Sequence, residues 1–208
     1  MESRRLTLAR LAALAAAVLL LNGCGPSVPK LPKLDAGAVV LAFGDSLTHG
    51  TGASPIEAYP AVLGKLIGRK VVGAGVPGEV SEEGLKRLPG VLDEVKPQLL
   101  ILCHGGNDFL RRLDEGEAAR NVRAMAALAR ERGIAVAIVA TPKPGLGVAK
   151  VPFYEAIGKE LAIPIETDVL ADVLGSAKLK SDLVHPNAEG YRRIADAVAT
   201  LLRRAGAV

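Results

Sequence analysis

Cysteine is nearly absent. The chain holds only Cys24 and Cys103, so no disulfide framework can staple it, and no C-x-x-C pair offers a redox or zinc site. Histidine is almost as scarce, limited to His49, His104 and His185. No H-E-x-x-H, no EF-hand loop and no G-x-x-x-x-G-K-[ST] occurs, which removes the helix-borne zinc proteases, calcium sensors and P-loop nucleotide hydrolases. We therefore expect no metal and no cofactor. Tryptophan is missing and aromatics make up 3% of the residues, so Ala, Val, Leu and Ile must fill any core. Charge of one sign is not concentrated either. The formal net charge is +4, half of it from Arg4, Arg5 and Arg10 standing against Glu2 at the front end. The nearly balanced remainder argues against a nucleic-acid partner, which needs a basic face.

What is present begins with an unusual leader. "MESRRLTLARLAALAAAVLLLNGCG" has a basic start followed by an apolar run from Leu11 to Leu21. That run is short for a permanent membrane helix and fits a secretory signal peptide. Cys24 stands where the run ends, in "LLNGC", a stretch that resembles the bacterial lipobox. The resemblance implies a signal over residues 1–23 and lipidation of Cys24. It makes the chain an exported lipoprotein of the cell envelope, held to a membrane by its acyl chains. "GPSVPKLPKL" follows with three prolines and no periodicity, which reads as an extended tether over residues 24–34. The domain is then expected over 35–208.

Within that domain, apolar runs alternate with helical patterns. "AVVLAF" (Ala38–Phe43), "KVV" near Val71, "LLILC" ending at Cys103, "IAVAIVA" (Ile134–Ala140) and a weaker "IPIET" near Ile165 read as strands buried on both faces. Helical periodicity covers residues 57–68, 82–95 with an interruption at Pro89–Gly90, 115–133, 153–161 and 187–205. The alternation predicts an α/β fold, a five-stranded parallel sheet between two helix layers. No internal repeat and no second domain is visible. Ligands in such sheets bind beyond the carboxyl ends of the strands. There the chain places "GDSLTHG", "GAGVPGE", "HGGND" and "TPKPGLG" after the first four strands.

Each piece admits a bland reading. Asp45 or Ser46 could simply cap the next turn, and a serine needs a base to act as nucleophile. We expect Gly44 to allow a sharp turn that lifts Ser46 above the sheet, with Asp45 as a turn residue. "GAGVPG" (Gly73–Gly78) is formally G-x-G-x-x-G. It follows the second strand rather than the first, however, and Pro77 removes a donor that a phosphate cradle would use. A tight loop offering the Gly78 N–H to a developing oxyanion fits better. "HGGND" puts Asn107 behind two glycines, as either an Asn–Asp turn or an amide donor. In "SDLVHPNAEGY", Asp182 precedes His185 by one helical turn, a spacing that can set a carboxylate against a ring nitrogen, and Asn187 can cap the helix that follows. His49 and His104 have no such partner and read as structural. No G-x-S-x-G elbow exists, which excludes the α/β-hydrolase arrangement.

Together the blocks "GDSLTHG", "AGVPGE", "GGND" and "DLVHPN" resemble, in order, those of the SGNH or GDSL family of lipases and esterases. The resemblance spans Asp35 to about Arg204. It implies a three-layer, flavodoxin-like αβα sandwich and a Ser46–His185–Asp182 triad. It also implies an oxyanion hole made of the Ser46 and Gly78 N–H groups and the Asn107 amide. The small bacterial thioesterase, lysophospholipase and arylesterase members look most similar, so the expected substrate is a small ester, thioester or lysolipid. A carbohydrate acetylesterase of the same fold, and a non-catalytic lipoprotein binding an acyl or glycan ligand, are the alternatives. The groove walls are expected to include "TPKPGLGVAKVPF", whose apolar character favours an acyl chain.

Overall fold

The computed structural model describes residues 28–145 and 147–208. The expected signal peptide and Cys24 lie outside the described residues.

In chain order the elements are β1 (Val39–Gly44), α1 (Ser46–His49), α2 (Tyr59–Ile67), β2 (Lys70–Gly75), α3 (Ser81–Val95), β3 (Leu99–Cys103), α4 (Gly106–Leu110), α5 (Glu115–Glu131) and β4 (Ala135–Val139). A short hairpin, β5 (Lys143–Gly145) and β6 (Gly147–Ala149), is followed by α6 (Pro152–Leu161), β7 (Ile165–Glu166), α7 (Val169–Gly175), a 3-10 turn and α8 (Ala188–Ala205). The main sheet is five-stranded and parallel, in the order β2-β1-β3-β4-β7. That is the doubly wound order in which the crossover direction reverses between β1 and β3. Ser46 follows one of those two strands and Asn107 the other, so the topology alone brings them to one crevice.

Side-chain alternation along the strands divides the core into two layers. Val40, Ala42, Leu99 and Ile101 pack under α2 and α8, together with Tyr59, Leu63 and Ile194. Leu41, Phe43, Leu100 and Leu102 pack under α3, α5 and α6, together with Leu88, Met125 and Tyr154. All eight strand residues are fully buried. That is why their sequence reads as unbroken apolar runs.

Two stretches differ from expectation. α3 runs without a break through Pro89, because buried Leu88 and Leu92 hold it to the core on either side of the lost hydrogen bond. The stretch after β4 forms the β5–β6 hairpin, whose glycines and prolines gave no period-2 pattern. The described part of the proline-rich stretch is docked rather than free. Leu31 N–H donates to the Ala205 carbonyl and Leu34 N–H to that of Ala207, with the Leu34 side chain buried. These contacts lie at the C-terminal end of α8, whereas its N-terminal end follows the His185 loop. Among the described residues no helix is long and apolar enough to cross a membrane.

Candidate active site

Gly44 ends β1, though its backbone is not in the left-handed region; its place is fixed by proximity. A Cβ there would come closer than 3.0 Å to the Cys103 carbonyl oxygen and to Thr48 Oγ1. The chain does turn at once after it, but the glycine is required by the close approach of the end of β3 to β1 rather than by a left-handed backbone. The α1 turn begins immediately after it. Asp45 caps that turn by accepting the Leu47 N–H at 3.0 Å, which leaves Ser46 on its first residue, facing the crevice and 8% exposed.

His185 arrives from the loop before α8, whose start Asn187 caps by accepting the Gly190 N–H at 3.0 Å. A Lys180–Pro186 bridge and the Ser181 N–H to His185 carbonyl bond close the loop. The His185 ring sits with Nε2 3.0 Å from Ser46 Oγ and Nδ1 2.7 Å from Asp182 Oδ2. Asp182 Oδ1 accepts the N–H groups of Val184 and His185, each at 2.8 Å. Burial would push the Asp182 carboxyl up, but these bonds and the imidazole outweigh it and hold the group below the usual carboxylate range. An ionised Asp182 can only accept, so the proton sits on His185 Nδ1 and Nε2 carries the lone pair that receives the serine hydroxyl.

The second and third blocks close the crevice from the other side. Gly78 has φ +80°, and its carbonyl accepts from Arg111 Nη2 at 2.6 Å. Among the described residues, neither the Gly78 N–H nor the Ser46 N–H has a protein acceptor. Asn107 Nδ2 donates to Asp45 Oδ2 at 3.1 Å and to the Glu79 carbonyl at 3.0 Å. Both neighbours are acceptors only, which fixes the orientation of the amide. Asp45, read from sequence as a turn residue, therefore also touches Asn107. Burial pushes its carboxyl upward.

The sequence assigns no role to four side chains of this region, Glu79, Ser81, Arg87 and Asp108. Glu79 is buried against Arg87 and His104, and Asp108 accepts the N–H and hydroxyl of Ser81 at 2.9 and 2.6 Å. Their only signal was polarity beside the blocks: Glu79 directly follows Gly78, and Asp108 directly follows Asn107. His49 is exposed and His104 fully buried, and neither reaches Ser46.

Ser46, Asn107 and His185 open onto a groove of about 330 Å³. Leu110, Pro142, Pro144, Val148, Leu174 and Leu183 supply its apolar wall. The expected "TPKPGLGVAKVPF" segment contributes through the β5–β6 hairpin. Among the described residues no cluster of His, Cys, Asp and Glu could hold a metal ion.

A strand-end serine, a histidine–aspartate pair before the last helix and this sheet order define an SGNH-type hydrolase. Residues 42–193 match the GDSL-like lipase/acylhydrolase family, and the chain belongs to it, as a hydrolase acting on ester bonds. The chain is 28% identical over 198 residues to the esterase TesA of Pseudomonas aeruginosa, covering 89% of this chain and 97% of that protein. It is 30% identical over 176 residues to thioesterase 1/protease 1/lysophospholipase L1 of Escherichia coli K12, covering 81% and 85%. The crystal structure of AlinE4, an SGNH-hydrolase family esterase, superposes with a TM-score of 0.64 at 28% identity, covering 83% of this chain and 98% of that one.

Proposed function

We propose that the protein hydrolyses small carboxylic esters and thioesters, lysolipids among them, by two-step acyl transfer on Ser46. The observation that carries this is the chain of contacts from Asp182 through His185 to Ser46 Oγ, at the mouth of a largely apolar groove and beside backbone N–H groups that have no protein acceptor among the described residues. A binding protein has no use for a base held against a serine.

In the first step His185 Nε2 takes the Ser46 proton as Oγ bonds to the substrate carbonyl carbon. The negative charge moves onto the carbonyl oxygen. The N–H groups of Ser46 and Gly78 and one hydrogen of the Asn107 amide receive it. Asp182 holds the imidazolium, which passes its proton to the leaving alcohol or thiol as the C–O or C–S bond breaks. Water, activated by the same histidine, then attacks the acyl-enzyme and releases the acid. Of the two Asn107 amide hydrogens, the one donated to Asp45 Oδ2 is given to the oxyanion, while the bond to the Glu79 carbonyl keeps the amide plane in place.

The groove favours an acyl chain over a sugar. Away from the proposed catalytic side chains, aliphatic residues and prolines outnumber the polar Thr141 and Lys180 in its lining. The names of the relatives, an esterase and a thioesterase/lysophospholipase, point the same way. We further propose that Cys24 is lipidated and holds the exported enzyme to a membrane of the cell envelope. Support for this comes from the leader sequence alone, and mass spectrometry of the mature N-terminus tests it.

For the activity, Ser46→Ala should abolish both turnover of p-nitrophenyl esters and fluorophosphonate labelling. Asn107→Ala should lower kcat by about 10²–10³ with KM changed far less, and should still label, more slowly. A folded Asn107→Ala enzyme with near-full kcat would refute the assignment of the hole.

A further inference from the structure

Directly behind the crevice lies a cluster of charged groups that the acyl-transfer steps do not use. Arg87 grips the Glu79 carboxylate with both prongs of its guanidinium, Nε to Oε1 at 2.7 Å and Nη2 to Oε2 at 2.6 Å. The same Nη2 lies 3.3 Å from the Gly44 carbonyl and 3.2 Å from that of Ala74. The Arg87 guanidinium also sits 4.1 Å above the centre of the Phe43 ring. His104 Nε2 is 3.0 Å from Glu79 Oε2, and its Nδ1 accepts the Gly105 N–H at 3.2 Å. That second bond fixes the tautomer. Nδ1 holds a lone pair, so Nε2 carries the hydrogen and donates it to Glu79. Gly84 of α3 makes room for the ring, since a Cβ there would stand 2.8 Å from His104 Cδ2. The His104 side chain is 0% exposed and that of Glu79 4%.

Taking a carboxylate out of water costs several kcal/mol unless its partners compensate. Here the partners come from α3 and the end of β3, and Arg87 is tied in turn to the ends of β1 and β2. What they immobilise is the residue directly after Gly78. Its carbonyl receives one of the two Asn107 amide hydrogens. A step further along, Ser81 is clasped by Asp108, the residue directly after Asn107. The cluster thus fixes both the turn that presents the Gly78 N–H and the plane of the Asn107 amide.

We infer that Glu79 is a positioning residue of the oxyanion hole, held by Arg87 and His104 so that Gly78 and Asn107 aim at one point. The inference rests on the proposed acyl-transfer reading. Glu79 touches no substrate and moves no proton. Its effect falls on the charge that develops in the transition state, so kcat carries it and KM does not.

The test is Glu79→Gln, alone and in the Asn107→Ala background, in the full chain, with folding followed by circular dichroism. Gln keeps the shape of the side chain, but its NH₂ opposes either Arg87 or the His104 N–H. The single variant should lose about tenfold or more in kcat on p-nitrophenyl esters, because donors misplaced by a fraction of an ångström lose most of their contribution. KM should stay within about twofold and Ser46 should still label. In the Asn107→Ala background the same substitution should cost several-fold less, because half of what it positions is gone. Should Glu79→Gln fail to fold, Arg87→Met, which leaves His104 on the carboxylate, carries the same expectations. A folded variant with kcat within twofold of the parent overturns the inference, as does an equal loss in both backgrounds. If Asn107→Ala alone leaves kcat intact, the hole assignment falls and the inference falls with it. An inactive Asn107→Ala beside an unaffected Glu79→Gln overturns only the inference.

Discussion

Gly44→Ala probes how closely the site depends on the spacing of β1 and β3. The added methyl carbon would lie closer than 3.0 Å to the Cys103 carbonyl oxygen and 3.1 Å from its carbonyl carbon, both backbone atoms. Comfortable non-bonded separations are about 3.5–4 Å. The strand ends must therefore part by about half an ångström or more at their last pairing, Gly44 with Cys103. Overpacking of this kind costs about 1–3 kcal/mol, and backbone on both sides puts it at the upper end. For a domain of this size the melting temperature should fall by roughly 6–12 °C. The displacement falls between Ser46, which follows β1, and Asn107, which follows β3. A misplacement of about 1 Å can cost 10² in rate, so kcat should drop about ten- to a hundredfold in enzyme that is still folded. Thermal melts by circular dichroism and initial rates on a short-chain p-nitrophenyl ester, measured well below the melt, separate the two effects. A variant with unchanged melting temperature and kcat would refute the claim of close approach. One that is destabilised but retains full kcat would show that the β1–β3 spacing does not set the site.

Gly90→Ala is the matched control: it lies inside α3, where a Cβ meets nothing within 4 Å, so the melt should show a gain of roughly 0.5–1 kcal/mol and assays unchanged activity. Tyr154→Phe removes the hydroxyl that donates to the His104 carbonyl at 2.7 Å and lies 2.5 Å from Thr141 Oγ1, stranding buried polar groups at a cost of about 1–3 kcal/mol in denaturant unfolding. For acid stability, burial would raise the Glu79 carboxyl, yet Arg87 and His104 outweigh it and bring it down to about 2 from an ordinary 4.5. The stability this confers is complete above pH 4.5 and lost as pH falls toward 2, so the decline in melting temperature across that window should be shallower in Glu79→Gln than in the parent.

The sheet was legible because every central strand is buried on both faces, and unbroken runs such as "LLILC" leave no other reading. α3 reads as interrupted in the sequence because Pro89 forbids one local hydrogen bond, whereas the burial of Leu88 and Leu92, a long-range fact, decides the matter. The β5–β6 hairpin was invisible because Pro144, Gly145 and Gly147 carry no periodicity, and only its place over the groove gives it a role. Asp182 and His185 were readable because one turn of chain separates them, so their contact is local. Glu79, Arg87 and His104 were not. Glu79 and His104 lie 25 residues apart with α3 and β3 between them, and the lone histidine gives no hint of its partner.

The donors of the proposed hole differ in what they do before substrate arrives. The Ser46 and Gly78 N–H groups have no protein acceptor among the described residues, so charge can be received there without breaking a bond. Both hydrogens of the Asn107 amide are already engaged, and one must leave the Asp45 carboxylate to reach an oxyanion. That exchange swaps one charged acceptor for another, so its net cost is small compared with making a new bond from solvent. It also means the amide waits in a single orientation rather than turning to find one, which is the preorganisation that gives such donors their value. Asp45 and the Glu79 carbonyl thus divide the task, one releasing the amide hydrogen it accepts and the other holding the plane. Asp45→Asn separates the two. An amide in that place can turn its NH₂ toward Asn107 and oppose the donor, so kcat should fall although Ser46, His185 and Asp182 are untouched. A folded Asp45→Asn enzyme with unchanged kcat would mean that Asn107 finds its orientation from Glu79 alone.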